Sequence, residues 1–296
     1  RSRLWQLGKV PLSPDWDEAA LGYNAYSLLK TGRDEYGAFM PVNLRSFGDD
    51  KPAIYAYLTI PFVAIFGLNE LAVRLPSALA GVLSVILSYL IVRRLFKSIW
   101  TGFLAALMLS ISPYLLQFSR PAFEANLALT LNLLAFWAVL KVKENQRWWV
   151  LAGVSIGLSM FTYQSSRLFW PLMLMWVAWM YRLNWWGIWR QVWFKVSAAI
   201  IGITFGLLIM TVVVMGQGNR LAALNVFSYD QPTERVEMFA REHRTSISDP
   251  SFEIMHGQWW ADVRGLFERG LIYFSPKIWW VEGDSNQRSR VPDLGT

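Results

Sequence analysis

The stretch SPDWDEAALGYNAYSLLKTGRDEYG, residues 13 to 37, places Asp15, Asp17, Glu18, Asp34 and Glu35 just ahead of a long series of apolar segments. A carboxylate near a membrane surface can take a proton from a hydroxyl group, the work of a general base. Two of the five acids have a simpler use. Ser13, Pro14 and Asp15, with Glu18 three residues after Asp15, form the pattern of a capping box at a helix start. Gly32 after SLLKT is a natural C-terminal stop. Asp17 is not explained in this way, so Asp17 and its neighbour Glu18 are candidate catalytic acids. Glu124, in SRPAFEANLAL, is a third; it is also placed to cap the helix that follows.

Cations that could meet a phosphate follow at intervals. In GDDKPAIY, Lys51 comes after Asp49 and Asp50; it suits a phosphate and equally suits an interfacial lysine whose stem lies along apolar surface. Arg74 stands directly before an apolar run, where it could hold a phosphate or anchor a helix end at lipid headgroups. Arg120 lies beside Glu124, and TYQSSRLFW adds Tyr163, Gln164 and Arg167. Polar residues and an arginine between two apolar helices fit either a sugar and phosphate pocket or a wet turn. Lys51, Arg74 and Arg167 are the expected phosphate ligands; Asp50, Arg120, Tyr163 and Gln164 are expected to face substrate. WWVEGDSNQRSR contributes Glu282 and Asp284 around Gly283, a weak signal that a tight turn also explains. His243 and His256, the two histidines, receive no role.

The elements that must position these groups are membrane helices. Of 296 residues, 54% are hydrophobic, 16% aromatic and only 17% charged, which sets the chain apart from soluble domains. The absence of cysteine excludes disulfides and thiolate metal sites. A net charge of +7 invites a nucleic-acid reading, but Lys and Arg gather at the ends of apolar segments rather than on one face, so no nucleic-acid partner is expected. Six apolar segments are read as crossings: Pro76–Val92, Thr101–Phe118, Ala125–Leu140, Trp148–Tyr163, Leu168–Tyr181 and Trp193–Met215.

Their connections give an orientation. Arg93, Arg94, Lys97, then Lys141, Lys143, Arg147, then Arg182, Arg190, Lys195 fall on alternate connections, while the opposite ones carry Arg120 and Arg167. The basic side is read as cytoplasmic. Trp148, Trp149, Trp185, Trp186 and Trp193 form an aromatic belt at that boundary. Residues 1–75 then make a first outward loop, 76–216 the bundle and 217–296 an outward tail. Within the loop, PAIYAYLTIPFVAIFG is read as a helix lying on the membrane surface.

DEAALGYNAYSLLKTGRDEYG, the acidic-Lys-Pro step, FGLNELAVRLPSALAG with its RRLF end, FTYQSSRLFWPL and EGDSNQRS together resemble the bacterial branch of glycosyltransferase family 39, which is related to the protein O-mannosyltransferases and the lipid A aminoarabinose transferases. The resemblance extends over nearly the whole chain. It implies a GT-C fold: an all-α integral membrane bundle with juxtamembrane helices in the first outward loop. It also implies an active site on the outer face and a polyprenyl-phosphate-linked sugar as donor. By the same resemblance Asp17 takes the catalytic acidic position with Glu18 beside it, Lys51 the lipid-phosphate contact and Glu124 a second acidic position. Ala53 stands where relatives carry a second proline, and Leu21 where a basic residue is sometimes found. Relatives have a helix before the acidic pair and further helices after the last one here, so the chain is expected to be truncated at both ends.

The resulting expectation is an inverting glycosyltransferase in the cytoplasmic membrane. It would pass a hexose-type sugar, of the mannosyl kind, from polyprenyl phosphate to a hydroxyl on a protein Ser or Thr, a lipid or a glycan. A divalent metal is allowed by this chemistry but not required, because the donor carries its own leaving group. The alternative is a transporter or flippase for lipid-linked sugars. Such proteins bind near the bilayer midplane through broken helices, whereas here the ionisable residues gather at segment ends.

Overall fold

The computed structural model describes residues 3–46, 49–180, 182, 185–214, 236–238, 240–241 and 257–272. The expected site residues Glu282 and Asp284 lie outside them. The chain forms two compact units, residues 1–207 and 208–296. In the second, Val236, Ala240 and Ala261 pack together, and Arg264 pairs with Glu268 one turn on along α11 (Gln258–Ile272).

The first unit opens with α1 (Trp16–Thr31), which starts and stops as its sequence directs. Asp15 is the N-cap, Glu18 closes the capping box, and Gly32 ends the helix at φ 68°, a left-handed conformation that glycine adopts without a Cβ penalty. Two further acids hold the turn that follows. Asp34 Oδ1 accepts the backbone N–H groups of Tyr36 and Ala38, and Glu35 is bonded through both its side chain and its backbone to the buried amide of Asn24. Four of the five clustered acids thus have structural work, and Asp17 remains.

A short antiparallel hairpin follows, β1 (Asn43–Ser46) and β2 (Asp49–Pro52). The sequence reading contains no strand here. α2 (Ile54–Phe66) runs unbroken through Pro61, packs on α1 and on α3 (Glu70–Phe96), and stops at Gly67. Its Tyr55 is completely buried. The phenol O–H donates to the Val73 carbonyl (2.9 Å) and accepts the Ser77 N–H (3.2 Å). These are the partners that an uninterrupted helix bonds directly, four residues apart, and Pro76 sits between them. The inserted hydroxyl therefore satisfies both groups.

The remaining helices are α4 (Ile99–Ile111), α5 (Pro113–Ser119), α6 (Glu124–Lys141), α7 (Trp148–Thr162), α8 (Gln164–Met180), α9 (Trp185–Trp189) and α10 (Val192–Val214). Among the described residues, each of the six apolar segments lies in helix apart from Ser112 and Tyr163. The second does not form one straight crossing. It bends by 65° between α4 and α5, where Ser112 caps the new helix and Pro113 occupies its first position. Proline lacks the N–H that would continue α4, and Arg3 covers the carbonyls of Leu109 (2.9 Å) and Ser110 (3.5 Å) beside the break.

By length and apolarity, two described helices can each cross a membrane, α3 and the Val192–Thr211 part of α10, or three if the bent pair counts as one span. α7, at 15 residues, and α8, at 17, rise about 22 and 25 Å.

Polar side chains join the helices where no water is expected. Asn126 donates to the Ser77 carbonyl (2.7 Å), Thr130 to the Ala80 carbonyl (3.0 Å), and Ser84 meets Thr130 at 2.8 Å, tying α6 to α3. The Trp170 indole N–H on α8 reaches both Asn132 of α6 (2.8 Å) and Ser159 of α7 (2.9 Å). Gly153 and Gly157, one turn apart on α7, face Ser197 and Thr204 of α10. A Cβ at either glycine would lie 2.6–2.7 Å from a hydroxyl oxygen, the close approach that small residues permit between membrane helices.

The two ends of this bundle differ in kind. At one, Glu18, Arg74 and Ala122 meet; at the other, Arg94 and Lys141 hold Glu144 at 2.5 and 2.7 Å, and Arg147 stacks over Trp193. α3 runs between them, 27 residues or about 40 Å.

Candidate active site

Successive residues of a helix point about 100° apart, so neighbouring Asp17 and Glu18 cannot share one environment. Asp17 turns toward the hairpin and forms an ion pair with the Lys51 ammonium of β2. Its carboxylate is about one-third exposed, while the Lys51 side chain is mostly buried (12% exposed). An ammonium carries three donors. Among the described residues Asp17 is the sole partner of Lys51, and the buried Nζ makes no further hydrogen bond. The result is an acid open to solvent beside a cation with unused donors.

Glu18 turns the other way, into the protein, where it is 2% exposed. Both of its oxygens engage Arg74, at 2.9 to 3.3 Å, and Oε1 also accepts the Ala122 N–H at 2.7 Å. Arg74 has no exposed surface. Its five donors go to Glu18 and to the carbonyls of Leu7, Pro11 and Ser13. In this structure the bonding capacity of both groups, expected to face substrate and phosphate, is taken up within the protein. Glu18 has no oxygen left for an acceptor hydroxyl, and Arg74 has no N–H left for a phosphate. The pair instead ties the residue 7–13 segment, α1, α3 and the residue 122 turn into one frame. Asp17 projects from that frame.

Glu124, at the first turn of α6, follows Ala122 by two residues. Its charge reaches the buried phenol of Tyr55, which is held well above its ordinary pKa, first by burial and then by the charges of Glu124 and Glu18, and so stays protonated. Tyr163 follows the C-terminal end of α7 and is 40% exposed. Gln164 begins α8, and the Nε–H of Arg167 donates to the Met160 carbonyl at 3.1 Å. Arg120 donates to the carbonyls of Trp5 (3.0 Å) and Val10 (2.9 Å), so it pins the residue 5–10 turn. Asp50 falls opposite Arg45 in the hairpin, one position before Lys51.

A cleft of about 420 Å³ opens between α1 and the start of α3. Its walls include Pro14, Gly22, Tyr23, Leu68 and Val73; neither Asp17 nor Lys51 lines it. Among the described residues no cluster of three His, Asp or Glu is arranged to hold a metal ion. The hairpin that carries Lys51 and the phenol that completes α3 were both missed by sequence reasoning. A glycine-containing two-residue connection, Phe47–Gly48, is the one signal for the hairpin.

Among known proteins, the putative mannosyltransferase YycA of Bacillus subtilis (strain 168) is 33% identical over 112 residues, which cover 37% of this chain and 16% of the relative. An undecaprenyl phosphate-alpha-4-amino-4-deoxy-L-arabinose arabinosyl transferase 2 from Pseudomonas fluorescens (strain Pf0-1) is 31% identical over 180 residues, 56% of this chain and 31% of that one. The chain thus spans less than a third of the length of either relative. In fold it is similar to the crystal structure of ArnT from Cupriavidus metallidurans bound to undecaprenyl phosphate, with a TM-score of 0.55 and 19% identity. That match covers 71% of this chain and 40% of the other, and it supports an all-α membrane bundle of the GT-C type. Residues 50–215, more than half of the sequence, match the family described as dolichyl-phosphate-mannose-protein mannosyltransferase, and the chain belongs to that family.

Proposed function

We propose that this chain carries the catalytic acid and the donor-phosphate site of a membrane glycosyltransferase that moves a sugar from a polyprenyl phosphate to a hydroxyl acceptor with inversion. The observation that carries this reading is the Asp17–Lys51 pair: a partly exposed carboxylate beside a buried ammonium, in a member of a lipid-phosphate-dependent family. Asp17 takes the proton of the acceptor hydroxyl. The acceptor oxygen then forms a bond to the anomeric carbon as the bond from that carbon to the phosphate oxygen breaks. The phosphate leaves with the electron pair, and the unused donors of Lys51 meet its growing charge, as oxyanion-stabilising groups do. Glu124, Tyr163, Gln164 and Arg167 form the sugar-facing side. Glu18 and Arg74 act as positioning residues.

The sugar is proposed to be a pentose or hexose linked to undecaprenyl phosphate or a similar lipid, the donor class that the printed names of relatives indicate. A mannosyl-type hexose is the narrower form of the proposal. Transfer of labelled sugar from such a donor by the purified chain in detergent tests the activity. Lys51→Met is expected to weaken donor binding by about 10-fold or more, the scale of a lost hydrogen bond to a charged group. Unchanged affinity would remove Lys51 from the phosphate site. Flipping of the lipid without sugar transfer would favour a transporter, for which no comparison speaks.

The site is proposed to face outward, with six crossings behind it. The separation of Glu18, Arg74 and Ala122 from the basic Arg94, Lys141 and Arg147 end supports that sidedness. In the cysteine-free chain, a membrane-impermeant thiol reagent applied to intact cells should label Ser13→Cys and spare Lys143→Cys. The reverse pattern, or equal labelling of both, would overturn the orientation.

A further inference from the structure

The hairpin holds a second buried polar atom with no partner. Ser46, at the end of β1, is 2% exposed, and its Oγ makes no hydrogen bond to a described residue. A hydroxyl can donate once and accept twice, and burying it unpaired opposes folding. Such a group is usually satisfied. Its place in the register suggests what could satisfy it.

Leu44 pairs with Lys51 and Ser46 with Asp49 in the antiparallel ladder. Directly opposed residues share a face of a sheet, and so do residues two apart on one strand. Ser46 and Lys51 therefore share a face, one diagonal step apart. Diagonal neighbours have Cβ atoms about 7–8 Å from each other, within reach of a long side chain. The two do not bond each other. A tetrahedral anion with one oxygen toward each is of a size to bridge the two across that diagonal.

We propose that the Ser46 hydroxyl is a second donor to the phosphate held by Lys51, an inference that rests on the donor-phosphate site described under the proposed function. Lys51 supplies charge, and Ser46 supplies a fixed direction. The serine O–H suits a phosphoryl oxygen, which accepts several hydrogen bonds, and a strand holds it more rigidly than the long lysine stem is held. The unpaired hydroxyl is a cost carried by the free fold and recovered on binding. This makes Ser46 a discriminator between a phosphate and a plain apolar chain.

The test is equilibrium binding of undecaprenyl phosphate to the purified chain in detergent, with thermal unfolding measured alongside. Ser46→Ala is expected to weaken binding about 10-fold or more while leaving unfolding unchanged or raised, because an unsatisfied buried hydroxyl has been removed. Ser46→Thr, which keeps the hydroxyl, is expected to retain most of the affinity. Parent-like binding by Ser46→Ala, with Lys51→Met weakened, would overturn the role of Ser46 and leave the phosphate site standing. Equal losses in the Ala and Thr variants would show a packing effect and also overturn it. Unchanged binding in both Lys51→Met and Ser46→Ala would overturn the phosphate site itself.

Discussion

Asp17→Asn is expected to lower the rate of sugar transfer by roughly 100-fold or more, the usual contribution of a positioned general base. Asparagine keeps the size of the side chain and its capacity to accept a hydrogen bond, but it does not take a proton at neutral pH. The frame around Glu18 and Arg74 is expected to survive the change, although the mostly buried Lys51 ammonium loses its one described counter-ion. The cap of α1 is Asp15, and the acid in the frame is Glu18, so Asp17 supports no backbone group among those described. Donor binding should persist, because Lys51 loses only a competing carboxylate. Single-turnover kinetics at saturating donor separate the two effects. A rate within a few-fold of the parent would remove Asp17 from the chemistry and leave Glu124 as the next candidate.

Glu18→Ala is expected to do the opposite: to damage the fold first and activity only in consequence. It leaves the Arg74 charge buried without a counter-ion and orphans the Ala122 N–H. Breaking one side of a buried ion pair typically costs about 3–5 kcal/mol. Replacing both partners by apolar residues, Glu18→Leu with Arg74→Met, should recover part of that loss, since neither charge is then stranded. Thermal unfolding in detergent reads both variants. If Glu18→Ala melts with the parent, the frame does not depend on this pair. If the double variant is as active as the parent, the pair does not position Asp17 either.

These two neighbouring acids show how far the sequence could be read. Local signals were legible. The capping box, Gly32 and Gly67 mark element ends through one-residue chemistry that needs no tertiary context, and the structure places ends there. The six apolar segments were legible for the same reason. Partnership was not. Glu18 and Arg74 are 56 positions apart, and nothing local says that each consumes the other's bonding capacity. Both read from sequence as reactive groups because charges near a membrane surface demand an explanation, and a buried partner is one. Arg120 is a similar case, with its N–H groups on the carbonyls of Trp5 and Val10. The hairpin escaped because its strands are four residues long and carry charged residues, so neither length nor alternation stands out.

The phenol of Tyr55 has a consequence for how the protein is made. A lipid-embedded helix must satisfy its backbone within itself, because hydrocarbon offers no partner. Near Pro76, where the ring removes one N–H from the ladder, the Ser77 N–H and the Val73 carbonyl of α3 are bonded by the side chain of a residue about 20 positions upstream. The order of synthesis is favourable. Tyr55 leaves the ribosome before α3, so the group that completes the helix is already available when the membrane receives it. Insertion of α3 and docking of α2 then belong to one event in biogenesis, and Tyr55→Phe would be felt first as a defect of membrane integration.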